Sequence, residues 1–171
     1  MGGHKSEAGF SLLETLIALG LVAIAMTGLL VAFVGSGKFG VLSRRQANAV
    51  ALARSIAGEL DNADWADARL SNTNGGNDAS FADPAGRFAL PSLPTGADAP
   101  DAALGTFNVG AESYDVYVNV APDGNEGLLF AVIVRYQVGN LPTGGGGTFM
   151  RAVVLGYRYH PAAIGVGQLP I

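Results

Sequence analysis

Between Phe10 and Gly37 the chain carries one ionisable residue, Glu14, in a run that is otherwise apolar, small or hydroxylic. At about 1.5 Å rise per residue, roughly 20 residues of helix cross the hydrocarbon core of a bilayer. Thr15 to Val34 supplies that length without a charge. The run predicts a membrane-spanning helix over about residues 10–34, in preference to a helix buried in a soluble core. Glu14 sets it apart from a plain anchor. A carboxylate near hydrocarbon costs roughly 2.5–3.5 kcal/mol on insertion scales, and less near the interface. Either it stays wet at headgroup depth, or another copy or a newly made N-terminus supplies a cation; position alone leaves both open.

The flank narrows the choice. Met1 to Gly9, MGGHKSEAG, is short and polar and ends in a small residue directly ahead of the apolar run. A secretory signal places its small-residue cleavage site after an apolar region of roughly 7–15 residues. Here the order is reversed and the run is too long. Gly9-Phe10-Ser11-Leu12-Leu13-Glu14, followed by the apolar helix, resembles the class III leader and cleavage motif of type IV prepilins and type II secretion pseudopilins. The resemblance implies removal of residues 1–9, cleavage between Gly9 and Phe10, and N-methylation of Phe10. It makes Glu14 the assembly residue, in the fifth position counted from Phe10. The partners it implies are a prepilin peptidase, an inner-membrane assembly platform and other pilin or pseudopilin subunits. It places the precursor in a bacterial inner membrane with its head in the periplasm, and later in an extracellular pilus or a periplasmic pseudopilus.

Charge is unevenly distributed. Ten Lys and Arg stand against fourteen Asp and Glu, a net −4 that losing Lys5 and Glu7 with the leader leaves unchanged. Lys38 to Arg54 holds four bases and no acid, whereas Glu59 to Glu126 holds twelve acids against Arg69 and Arg87. An acidic middle argues against a nucleic-acid surface there, because phosphate contacts need clustered Lys and Arg. Lys38, Arg44 and Arg45 beyond the apolar run outnumber Lys5 before it, so a count of bases alone favours the opposite membrane orientation. The leader motif overrides that count, because in the family it resembles the leader is cytoplasmic. With no cysteine, the head must be held by packing, backbone pairing or a bound ion.

Beyond Val34, Leu42, Ala49, Leu52, Ala53, Ile56 and Leu60 recur at three- and four-residue steps, the spacing of one helix face. The expectation is one helix over residues 10–62, with Gly35, Gly37 and Gly40 as weak points for bending. Residues 63–110 are rich in Asn, Asp, Ala, Gly and Pro and read as a variable loop. Trp65, Phe81, Phe88, Leu90, Leu93, Leu104 and Phe107 are its expected anchors. Residues 111–171 read as a three-stranded β-meander with an irregular tail. Its strands are Tyr114–Val120, half-buried by alternation; Leu128–Val138, apolar on both faces and central; and Phe149–Tyr159, with Val153, Leu155, Tyr157 and Tyr159 on one face. The fold class is α+β: a long N-terminal helix, its first half transmembrane, packed on a small antiparallel head of the pilin kind.

No reactive set points to an enzyme. His4 lies in the leader, His160 follows a strand beside Pro161, and no Gly-x-Ser-x-Gly elbow or phosphate-cradling loop occurs. No cofactor is expected. Some pseudopilin heads bind calcium, and Asp98, Asp101, Asp123 and Glu126 are the candidate oxygen donors, with Asp78 and Asp83 beside them. None has EF-hand spacing, so solvated loop acids are the favoured reading. The five tyrosines fit packing or a subunit contact. The reading is a minor pilin precursor; a minor pseudopilin is the alternative, and a single-pass anchor carrying a ligand-binding head is the alternative from another class.

Overall fold

The computed structural model describes residues 11–124, 127–139 and 147–159. The chain divides into two compact units, Met1–Val41 and Leu42–Ile171. Helix α1 (Leu12–Asp61) runs unbroken through Gly35, Gly37 and Gly40, so the expected weak points stay helical. Strands β1 (Ala102–Val109), β2 (Glu112–Asp123), β3 (Gly127–Gly139) and β4 (Thr148–Tyr159) form an antiparallel sheet in the order β1-β2-β3-β4. The α+β class and the meander are as expected, with one strand more.

That extra strand, β1, lies inside the span read as loop. Its sequence, AALGTFNV, has no clean alternation because it is an edge strand, exposed over most of its length. Leu104 is inserted as a bulge between the pairs Ala103–Tyr117 and Gly105–Val116. Gly105 takes φ +96° there, in the region a side chain disfavours.

In the Leu42–Ile171 unit, Ala49, Ala53, Ile56, Ala57 and Leu60 bury one stripe of α1 against the sheet. The three alanines follow at four-residue steps, and their small size brings the helix close to Tyr114 and Tyr136, whose rings lie 5.7 Å apart. The even-numbered residues Val116, Val118, Val120, Phe130, Val132 and Val134 complete this core. Arg158 donates to the carbonyls of Ala63 (2.7 Å) and Asp64 (3.2 Å), holding the chain as it leaves the helix.

The opposite sheet face corrects the reading of β2 as half-buried. Tyr117 and Asn119 are buried as well as their neighbours, because the stretch around Phe81 and Phe88 folds over that face. Phe88 packs against Tyr117 at 5.3 Å, joined by Ala131 and Ile133, with Phe81 and Val153 at the margin. Phe88 is therefore a true anchor of this layer, Leu70 an unforeseen one in the core on the helix side, while Leu90, Leu93 and Phe107 remain exposed. The face expected for β4 carries Val153 in this second layer but leaves Leu155 and Tyr159 exposed. The helix side of β4 uses Ala152 and Val154 instead. At Gly156 a Cβ would collide with the Phe130 ring, which lies across the bare backbone of its cross-strand partner.

Two buried charges tie the second layer down. Arg135, 5% exposed, donates to the carbonyls of Leu90 (2.9 Å) and Pro91 (2.8 Å), with its guanidinium 3.6 Å from the centre of the Phe149 ring. Asp83, 3% exposed, pairs with Arg151 at 2.6 Å and accepts from the Arg87 and Phe88 amides. Its φ of +49° is one that Asp tolerates better than most residues.

If the loop is a second hydrophobic layer, Phe88→Ala should cost about 3–5 kcal/mol of unfolding free energy, as buried Phe truncations do. Denaturant unfolding followed through Trp65 fluorescence would read it. A loss below about 1 kcal/mol, the scale of a surface substitution, would mean the loop is a decoration.

Candidate processing and assembly site

Helix α1 begins at Leu12 because Ser11 caps it. Ser11 Oγ accepts from the Glu14 amide at 3.2 Å, and the Ser11 carbonyl accepts from the Glu14 (3.0 Å) and Thr15 (3.2 Å) amides. Ser11-Leu-Leu-Glu14 has capping-box spacing, which places Glu14 at the third helical position beside the positive end of the helix dipole. A carboxylate at this point is favourable for the helix itself. Its side chain is exposed and makes no hydrogen bond or ion pair among the described residues.

The other polar groups of the segment satisfy themselves. Thr15 Oγ1 donates to the Leu12 carbonyl at 3.0 Å, and Thr27 Oγ1 to the Ala23 carbonyl at 2.8 Å. Hydroxyls bonded back one turn add no cost in hydrocarbon, where an open polar group would. Leu16, Ile17, Leu19, Leu21, Val22, Ile24, Met26, Leu29, Leu30, Val31, Phe33 and Val34 are all exposed. A span this long and apolar, with none of its most apolar window buried, suits lipid as its surroundings. Gly20 and Gly28 meet no neighbour. Gly9 and Phe10, the expected cleavage pair, lie outside the described residues, as do His4, His160 and Glu126.

The described candidate calcium ligands form no common cluster. Asp98 pairs with Arg87. Asp123 accepts from the Tyr157 hydroxyl at 2.7 Å, and that bond raises the Tyr157 phenol to about 12. Asp101 is the hub of the loop. Its Oδ1 accepts from the Thr73 and Asn74 amides, each at 2.7 Å, and its Oδ2 from the Val120 amide (2.8 Å) and Asn77 Nδ2 (3.2 Å). Asp78 accepts from Asn72 Nδ2 at 2.8 Å. Among the described residues no group of three or more His, Asp or Glu could hold a metal ion. Composition marks such loop acids but not their partners: the hub bonds run 19 to 28 residues along the chain. Asp67 is closer to legible, since its neighbour Arg69 holds it down at about 2.

Residues 4–30 match the family described as the prokaryotic N-terminal methylation motif. No curated protein and no solved structure matches the chain. The match supports a class III leader of the type IV prepilin and pseudopilin kind, a family of structural subunits and not of enzymes. It thereby supports a type IV pilin or pseudopilin that a prepilin peptidase processes and that assembles with other pilins. With the apolar helix, it suggests membrane anchoring before assembly.

Because protein donors take both Asp101 oxygens, Asp101→Ala should lower stability by about 1–3 kcal/mol, the cost of orphaning charge-assisted bonds. It should also speed hydrogen exchange at the Thr73 and Asn74 amides. A chelator should leave the wild-type unfolding midpoint where it is; a drop in that midpoint would show an ion holding the loop instead.

Proposed function

We propose that this protein is a minor pilin of a type IV pilus. In this reading it is made with a cytoplasmic leader, held in the inner membrane by the first half of α1 with its head in the periplasm, and then drawn into a helical fibre. The observation that carries the reading is Glu14, the single charge of the apolar segment, which has no partner within its own chain among the described residues. It sits four residues past the point where the leader motif is cut.

Cleavage after Gly9 makes an α-amine at Phe10. Such amines titrate near 7.7–8.0 and stay largely cationic at neutral pH, and methylation leaves the nitrogen basic. In the membrane, a lone carboxylate near hydrocarbon and a lone ammonium are each uncomfortable. When a neighbouring subunit's Phe10 amine meets Glu14, both are neutralised where the dielectric is low and the attraction exceeds its value in water. The reaction the leader undergoes is thus what creates the countercharge for assembly. No group in the head is needed for chemistry. Its sheet, covered on both faces, gives the fibre a surface, and Glu14 sets the level at which a subunit enters.

Intact-mass and N-terminal analysis of the native protein, with and without its prepilin peptidase, tests the first step. The expected mature chain starts at Phe10 with one methyl group, and a cellular form that still starts at Met1 refutes the reading. Glu14→Ala should leave the protein trimmed and in the membrane fraction yet lower its content in sheared fibres at least tenfold, a loss of about 1.4 kcal/mol or more. Normal incorporation of Glu14→Ala would remove the role given to the carboxylate.

A further inference from the structure

The two edges of the sheet are built differently. The β1 edge is short, bulged at Leu104 and carries Gly105 at φ +96°. Shortness and bulges are ways of denying an edge to another chain. β4 has neither. It pairs with β3 without a register break from Phe149 to Tyr159, and no strand among the described residues lies on its other side. It contains no proline and no lysine. Both of its arginines are taken, Arg151 by Asp83 and Arg158 by the carbonyls of Ala63 and Asp64. Residues 152–157, Ala-Val-Val-Leu-Gly-Tyr, are therefore a regular, uncharged edge, with Leu155 57% exposed beside its open backbone groups.

On the helix side, β4 and α1 leave a groove of about 750 Å³ between them. Gln46 accepts from Tyr136, whose cross-strand partner is Met150, and Ala63 and Asp64 accept from Arg158. α1 and β4 therefore run alongside each other in the same direction. Ala47, Val50 and Ala51 give the groove an apolar wall, and β4 contributes Met150, 43% exposed. The charged residues that line it are Arg54 and Arg151, with no acid. Arg54 is exposed and makes no hydrogen bond or ion pair among the described residues.

We propose that the β4 edge takes an extended segment of a different protein as a fifth strand. Alternate side chains of that segment fill the groove, and an acid among them meets Arg54. Strand addition of this kind draws affinity from the backbone and selectivity from pockets for every second side chain. Charge decides against the occupants this chain could itself supply. From Gly127 onward it has no Asp or Glu. Residues 160–171, which follow β4, bring Arg54 no countercharge, and neither does the β4 of a second copy. β1, the other free edge, is uncharged. The occupant is a segment of another sequence, apolar at every second position and carrying an acid. The proposal goes beyond the filament reading and needs neither leader cleavage nor Glu14.

Full-length protein in detergent micelles and two end-blocked peptides test it. Each peptide alternates threonine and valine over about nine residues, with one valine replaced by glutamate in the first and by lysine in the second. By fluorescence anisotropy, the glutamate peptide should bind roughly tenfold more tightly than the lysine peptide, and Arg54→Glu should invert that order. Methylating the backbone nitrogens of one alternate set of residues in the glutamate peptide should abolish binding. Methylating the other set should leave it, because only one set faces β4. In hydrogen exchange, the amides of residues 152–157 that point away from β3 should exchange fast in the free protein. The bound glutamate peptide should slow them roughly tenfold. Absence of binding, equal binding of the two peptides, or equal effects of the two methylation patterns overturns the proposal. Edge amides already slow in dilute free protein would mean that residues 160–171 cover the edge. Slowing that grows with protein concentration would mean that a second copy does, and either result overturns it as well. A chain that is never trimmed refutes the filament reading and leaves these outcomes unchanged.

Discussion

A helix that exposes hydrocarbon side chains for more than five turns has one comfortable medium, and in that medium each polar group must find its partner along its own backbone. Thr15 and Thr27 do so by bonding back to carbonyls one turn earlier. Ser11 does so by serving as the cap. Glu14 does not, and its place in the first turn makes this tolerable without making it satisfied. The dipole favours a negative charge there by about 0.3–1 kcal/mol, less than burial in hydrocarbon costs. The same residue that helps start the helix thus keeps a surplus of electrostatic need. That surplus is what a partner with a cationic end can draw upon.

The Leu42–Ile171 unit solves a different problem with the same helix. A meander of four strands has two apolar faces, and α1 covers one. Alanines at positions 49, 53 and 57 make that cover close, so two tyrosines can be buried whole beneath it. The other face is closed by a stretch with almost no regular structure. Polar staples fix it instead: Asp101 joins the amides of Thr73 and Asn74 to that of Val120, Asp83 binds Arg151, and Arg135 holds two carbonyls. A head without disulfides is held here by charged groups with several hydrogen-bond partners each, which cost much to break and little to leave alone.

Legibility in the sequence followed periodicity. The apolar run, the three- and four-residue spacing from Leu42 to Leu60 and the doubly apolar β3 each repeat a simple rule, and all three stand in the structure as read. β1 escaped because it is exposed over most of its length, so burial imposes no alternation on it. Tyr117 and Asn119 looked solvent-facing because their cover, Phe88 and the carbonyl of Phe81, comes from a segment some 30 to 40 residues earlier. Of the candidate site, the exposed place of Glu14 in the first turn of α1 was legible because its surroundings are local and uniform. The roles of Asp83 and Asp101 were not, because a loop acid and a structural hub are spelled alike until the chain folds.

The charge pattern ties these observations together. Bases cluster in the head half of α1 and acids in the segment after it, a separation that alone would predict a strongly polar molecule. Folding neutralises most of it: Arg45 reaches Glu112 at 2.8 Å, and the arginines of the loop and of β4 take up neighbouring acids. The remainder is not spread evenly. At residue 14 an acid stands alone near the start of α1; at residues 54 and 61 a base and an acid stand seven residues apart on its uncovered face. Exposed charges in water need no partner, so these alone would be unremarkable on a monomer. Attraction between apolar surfaces is indifferent to sliding, whereas a charge pair is not. In the reading proposed above, Glu14 is the charge that sets the level of one such helix beside another.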